Sequence, residues 1–247
     1  MTPTESASGP ATRVPATWDR GWYRAAQRLD SPNFGPRPPG MAVDLVVLHS
    51  ISLPPGEFGG MAVPQLFTNT LDWDEHPYFQ QIRGLTVSAH FFIRRDGSLV
   101  QFVSCDDRAW HAGASCHQGR DNCNDYSIGI EFEGLEGGLF EPVQYRVASQ
   151  LCAAIRGAYP IAQVLGHEHV APGRKFDPGA GFDWQLLRRS LDWDPVFFRP
   201  KCKKIIRHVH VAGGRWRLLP ATAAAPRGTA GMQDSCGHRR QNAAWVA

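Results

Sequence analysis

No stretch of this sequence is apolar for long enough to span a membrane, and Met1 to Trp18, although rich in Pro, Ser, Thr and Ala, lacks the apolar core of a secretory signal. A membrane-embedded function is excluded on that basis, and export is disfavoured. Cysteine is scarce and unpaired in its spacing: Cys105, Cys116, Cys123, Cys152, Cys202 and Cys236 form no Cys-x-x-Cys motif. The pattern offers no disulfide framework and favours a reducing compartment, of which the cytoplasm is the simplest. A large charge of one sign is missing too, with a formal +3 over 247 residues. No internal repeat is detectable.

What is present is an ordinary globular composition, 43% hydrophobic and 11% aromatic, in a chain long enough to bury one substantial core. The charge is unevenly spread. Lys201 to Ala247 holds nine Lys or Arg against the single Asp234, so the remainder is net acidic. Pro220 to Gly231 contains no large apolar side chain and cannot build a core. The expected organisation is a disordered leader over 1–20, one domain over 21–195 and a basic, disordered tail over 196–247. Nucleic-acid binding through that tail would rest on charge alone and is not expected; a monomer is.

Val43 to Leu48 reads as a strand apolar on both faces, as in the middle of a covered sheet, with His49 where it ends. Val87–Ile93 and Leu99–Val103 flank Arg95-Asp96-Gly97-Ser98, a hairpin signal. Ser127–Glu133 alternates, with Ile128, Ile130 and Phe132 on one face and Ser127, Gly129, Glu131 and Glu133 on the other. Val143–Tyr159 has helical periodicity and stops before Pro160; Phe182–Leu191 reads as a second, shorter helix. Together these predict an α/β (α+β) single domain, a central mixed β-sheet flanked by helices.

The chemistry concentrates in Gly166-His167-Glu168-His169-Val170-Ala171-Pro172-Gly173-Arg174-Lys175-Phe176-Asp177-Pro178-Gly179, set against the distant His49. Two imidazoles and a carboxylate neutralise only one of the two charges of a zinc ion and leave a coordination position open, the make-up of a hydrolytic rather than a structural site. Spacing does not separate His167 from His169 as the second imidazole. Pro172, Gly173, Pro178 and Gly179 argue for an extended backbone that turns Lys175 and Asp177 to the same side. Glu131 and Glu133 share a strand face with Gly129, whose missing side chain suggests a close approach, and a carboxylate there could act as general base. His90 and His111 read equally as pocket residues or satisfied core histidines.

These motifs, taken in order, resemble the AmpD-type N-acetylmuramoyl-L-alanine amidases, zinc enzymes of the peptidoglycan-recognition and bacteriophage-T7-lysozyme-like superfamily. The resemblance runs from about Gly21 to Leu191 through Val46-Val47-Leu48-His49-Ser50, Val87-Ser88-Ala89-His90, Ala109-Trp110-His111-Ala112-Gly113, Asn124-Asp125-Tyr126-Ser127-Ile128-Gly129-Ile130-Glu131 and the stretch after Gly166. It implies His49, His167 and Asp177 as zinc ligands, Glu131 and Lys175 as catalytic residues, and Ser50, His90, Trp110, His111 and Ala112 as substrate contacts. The activity implied is hydrolysis of the bond between 1,6-anhydro-N-acetylmuramic acid and the L-alanine of an anhydro-muropeptide, in cytoplasmic peptidoglycan recycling. The rival readings are an exported cell-wall amidase and a non-catalytic peptidoglycan-binding protein. The chain departs from the family pattern at Ser50, usually Asn, at His169, usually Asp, and at Thr86 and Asn122, where basic residues are expected.

Overall fold

The computed structural model describes residues 17–198, so most of the expected leader and nearly all of the expected tail lie outside the described residues. A six-stranded mixed sheet organises the rest, in the order Gln163–Gly166, Leu45–Ile51, Ser127–Glu133, Phe91–Ile93, Leu99–Gln101 and Gln27–Arg28. The first four of these strands run parallel; Leu99–Gln101 returns antiparallel to Phe91–Ile93 across the predicted hairpin. The two central strands, Leu45–Ile51 and Ser127–Glu133, are buried along their whole length. No helix among the described residues is long and apolar enough to cross a membrane.

Alternation sorts the sheet into two unlike faces. Val46, Leu48, Ile128, Ile130, Phe132 and Val164 pack against Tyr145, Ala148, Leu151, Cys152 and Ile155 of the helix Pro142–Ala158, which recur at the spacing of one helical face. Proline opens that helix, and the backbone N–H of Glu141 donates to Gln144 Oε1 at 2.9 Å, relieving one unpaired donor of the N-terminus. Tyr159 turns extended before Pro160, whose ring disfavours a helical predecessor. Truncating a buried residue such as Leu151 to Ala should cost about 2–5 kcal/mol. The opposite face carries Leu45, Val47, His49, Gly129 and Glu131, and there the residues singled out for chemistry gather.

Several boundaries shift from their expected places. The first strong strand runs on to Ile51, so His49 lies inside it. The last helix begins at Trp184, capped by Asp183, whose Oδ1 accepts from the Leu186 N–H, while Phe182 is drawn into the aromatic core against Phe132, Phe140 and Tyr145. Trp18, assigned to the leader, packs edge-on to Phe91 and Tyr159 and donates its indole N–H to Ala154 O. Pro195–Phe198 forms a 3-10 turn at the start of the assigned tail. Cys105, Cys123 and Cys152 are buried free thiols. Cys116, by contrast, is disulfide-bonded, which the spacing of the cysteines did not reveal.

Arg37, from the proline-rich approach to the first strong strand, is half-buried and donates to the carbonyls of Cys105, Asn124, Asp125 and Ser127. Beside it His90 Nδ1 accepts from the Gly129 N–H, and Nε2–H donates to Asp107 O. Burial, assisted by the Arg37 charge, lowers the His90 pKa from 6.5 to about 3. The unfolded chain therefore binds the extra proton throughout that interval, and stability rises with pH across it. Urea midpoints should fall as the pH drops from 7 toward 4. A His90→Asn variant should show a shallower fall, and an unchanged slope would contradict this role.

Candidate metal centre

The parallel register sets the site out. Glu131 lies directly opposite His49 on the neighbouring strand, so both side chains point to the same face of the sheet. The edge strand ends at Gly166, and His167 opens a four-residue helix, His167–Val170, where the strand stops. Asp177 is brought back to this helix by its backbone, its carbonyl accepting from the Glu168 N–H at 3.0 Å.

This folding gathers His49, His167 and Asp177, all buried, into a group that could hold a metal ion. His49 Nδ1 and His167 Nδ1 are 3.0 Å apart, and each lies 3.1 and 3.2 Å, respectively, from Asp177 Oδ2. Tetrahedral ligands at zinc-like bond lengths of about 2.0–2.1 Å are separated by about 3.3 Å, so the triangle has the dimensions of one face of such a shell. Asp177 Oδ1 and Glu131 Oε2 are buried without a hydrogen-bond partner. Orphaned carboxylate oxygens of this kind are costly unless a further group meets them. The donor set therefore fits a divalent cation.

His169 is kept out of the group. Residues two apart on a helix point about 200° apart, unlike those on a strand, where they share a side. Its Nδ1 accepts from the Gly166 N–H at 2.8 Å and its ring packs on Trp184.

Electrostatics around the cluster push an acid and a base toward each other. Burial and the nearby Asp177 raise the Glu131 carboxyl well above its usual range, an effect that Lys175 opposes. Burial lowers the half-buried Lys175 ammonium, partly offset by Asp177 and Glu131. Shifts of this kind mark groups that can exchange protons near neutrality. His49 is lowered to about 4, chiefly by burial.

The other predicted site residues are placed differently. Ser50, next to His49 in the strand, turns to the opposite face, and its buried hydroxyl has no partner. His90 is held in the core by the contacts described above. Trp110 is half-buried, with an unpartnered indole N–H. His111 and Ala112 stand behind the two histidines: His111 Nδ1 is 3.0 Å from His49 Nε2, and Ala112 O accepts from His167 Nε2–H at 3.1 Å. A Cβ on Gly129 would come within 2.5 Å of the His111 ring, so the approach read from that glycine is made by this imidazole. Glu133, which shares the strand face of Glu131, is buried and accepts from the Gly59 and Arg95 N–H groups. Asn122 adopts a left-handed conformation that asparagine tolerates, and bonds to Asp125. Sequence reasoning gave no role to Asn124, whose Oδ1 accepts from the His111 and Ala112 N–H groups.

The family model described as N-acetylmuramoyl-L-alanine amidase matches residues 39–180. The chain belongs to this family. Within it, the chain is 48% identical over 172 residues to the 1,6-anhydro-N-acetylmuramyl-L-alanine amidase AmpD of Salmonella typhimurium, covering 69% of this chain and 92% of the relative. The Escherichia coli AmpD is 49% identical over the same length, covering 69% and 94%. A crystal structure of a selenomethionine AmpD derivative superposes with a TM-score of 0.69 at 49% identity, over 70% of this chain and 98% of that one. The amidase fold is thus shared, mixed sheet and helices included.

Binding of a divalent metal at hundreds of times its dissociation constant should stabilise this amidase by about 3–4 kcal/mol, read as a rise in melting temperature on adding metal to chelator-treated protein. Asp177→Ala should abolish that rise and His169→Ala should retain it. A rise that survives in Asp177→Ala, or is lost in His169→Ala, would contradict the ligand set.

Proposed function

We propose that this amidase uses a zinc ion held by His49, His167 and Asp177 to hydrolyse the amide between N-acetylmuramic acid, in its 1,6-anhydro form, and the L-alanine of the stem peptide. The observation that carries the reading is the register pairing of Glu131 with His49, which sets a buried carboxyl of raised pKa beside the three-ligand group. The relatives named above bear this activity in their names. Bound there, zinc would supply Lewis-acid polarisation of the scissile carbonyl and acidify water.

The chain's own residues carry the proton and charge steps. Glu131 takes a proton from the attacking water as the oxygen adds to the amide carbon, and returns it to the L-alanine nitrogen as the carbon–nitrogen bond breaks. Its raised pKa lets the same group serve as base and then acid. Lys175 offers a half-buried ammonium to the oxyanion that develops on the carbonyl oxygen, and its partial burial makes that charge more effective than it would be in water. Asp177, Glu131 and Lys175 interact electrostatically, so no buried charge in the group stands alone.

A place in cytoplasmic muropeptide recycling fits the AmpD relatives and the three buried free thiols. The disulfide at Cys116 favours the second reading, an exported wall amidase, because such bonds persist in oxidising surroundings. Fractionation of the native host separates the two: recovery with cytosolic markers supports recycling, and recovery outside the membrane supports export. A non-catalytic binder is opposed by the presence of both Glu131 and Lys175.

Mass analysis of anhydro-muropeptide digests should show free anhydro-N-acetylmuramic acid derivatives and an L-alanine-terminated peptide, with cleavage lost to a chelator and restored by zinc. Glu131→Gln should keep the metal and lose about 10²–10⁴-fold in turnover. Lys175→Ala should lose about 2.7–4 kcal/mol of transition-state stabilisation. Intact substrate with zinc-loaded wild type would overturn the proposal; near-normal turnover in either variant would remove that residue from it.

A further inference from the structure

His111 has no place in the chemistry above, yet it is buried against a residue of the metal group and is part of an ordered chain of hydrogen bonds. The direction of every proton in that chain can be deduced. Ser127 Oγ lies 2.6 Å from Cys123 O, and a carbonyl oxygen only accepts, so the single hydroxyl proton is committed there. At its 3.2 Å contact with His111 Nε2, Ser127 must therefore accept, which puts the His111 proton on Nε2. A neutral ring protonated at Nε2 has a bare Nδ1. That atom faces His49 Nε2 at 3.0 Å, so His49 donates from Nε2 and its own Nδ1 is left bare. His49 Nδ1 is the atom that faces His167 Nδ1 and Asp177 Oδ2.

The same stretch of chain treats the second histidine alike. His167 Nε2 lies 3.1 Å from Ala112 O, which only accepts, and the Arg174 guanidinium 3.3 Å from the same nitrogen makes its shorter bond, 2.7 Å, to that carbonyl, so Nε2–H donates to Ala112 O and His167 Nδ1 is bare. Asn124 Oδ1 accepts from both the His111 and Ala112 N–H groups, at 3.1 and 2.8 Å, and so fixes the dipeptide that supports both rings. Gly129 leaves the space that the His111 ring fills.

We propose that His111 is a positioning residue, which, through Ser127 and the Cys123 carbonyl, holds His49 in the tautomer whose Nδ1 can bind the metal, with Ala112 doing the same for His167. The proposal rests on the metal reading of His49 and goes beyond it in assigning the residues behind the ligands. Outer partners of metal-bound imidazoles commonly alter affinity by about 10–100-fold when removed. His111 would then act on metal affinity rather than on substrate, against the expectation that it lies in the substrate pocket.

Zinc affinity, measured by competition with a chromophoric chelator, tests this on the full chain. His111→Leu removes the acceptor and should weaken zinc binding by about 10–100-fold. His111→Asn, whose Oδ1 can still accept from His49, should recover most of that loss, which a purely structural role would not predict. Should His111→Leu fail to fold, zinc-loaded wild type labelled with nitrogen-15 in histidine gives an independent answer. The proposal requires His111 to carry its proton on Nε2 and to show a coupling through the hydrogen bond from His49 Nε2 to His111 Nδ1. Folded His111→Leu binding zinc within twofold of wild type, or a His111 proton on Nδ1, would overturn it. Absence of zinc binding in wild type would instead overturn the metal reading itself.

Discussion

Two imidazole nitrogens and a carboxylate oxygen, all buried, meet within 3.0–3.2 Å of one another. Bare lone pairs at that separation repel, and burial removes the water that would otherwise screen them. A divalent cation at their centre would turn that repulsion into coordination. The surrounding structure can be understood as what is needed to hold three such groups together: a rigid strand for His49, a strand-to-helix junction for His167, and a backbone hydrogen bond from Glu168 to the Asp177 carbonyl.

The sheet is what makes the arrangement specific. In a parallel pair a shift of one residue would turn the side chain of Glu131 to the helix-covered face, where Ile130 and Phe132 now pack. The apolar packing of that face against Pro142–Ala158 therefore fixes the register that places Glu131 beside His49. Core packing and catalytic geometry are thus coupled through alternation along one strand. The histidine cluster adds a second layer, in which the supporting groups of both imidazoles come from the single dipeptide His111-Ala112.

Much of this was legible in the sequence. The Ser127–Glu133 alternation, the long helix and the hairpin each depend on local periodicity or turn chemistry, and each was placed within a few residues. Family resemblance named the site residues that the fold brings to one face. What could not be read depended on long-range pairing. Strand order makes Glu133 a buried acceptor, and the helical backbone turns His169 about 200° from His167 where an extended chain would have kept them on one side. The polar His49 and Ser50 hid the continuation of the first strand to Ile51, because a functional face breaks the apolar run that marks a central strand. Asn124 and Ser127 fell within a recognisable motif, but their supporting contacts were not legible, since their partners lie elsewhere in the chain or in the backbone.

The most direct test of the central claim is a crystal structure of the zinc-loaded protein with anomalous data collected across the zinc edge. The account predicts one fully occupied ion per chain, bound by His49 Nδ1, His167 Nδ1 and an Asp177 carboxylate oxygen, with Glu131 outside the ligand set. An ion at another location, or one bound through either histidine's Nε2, would contradict it.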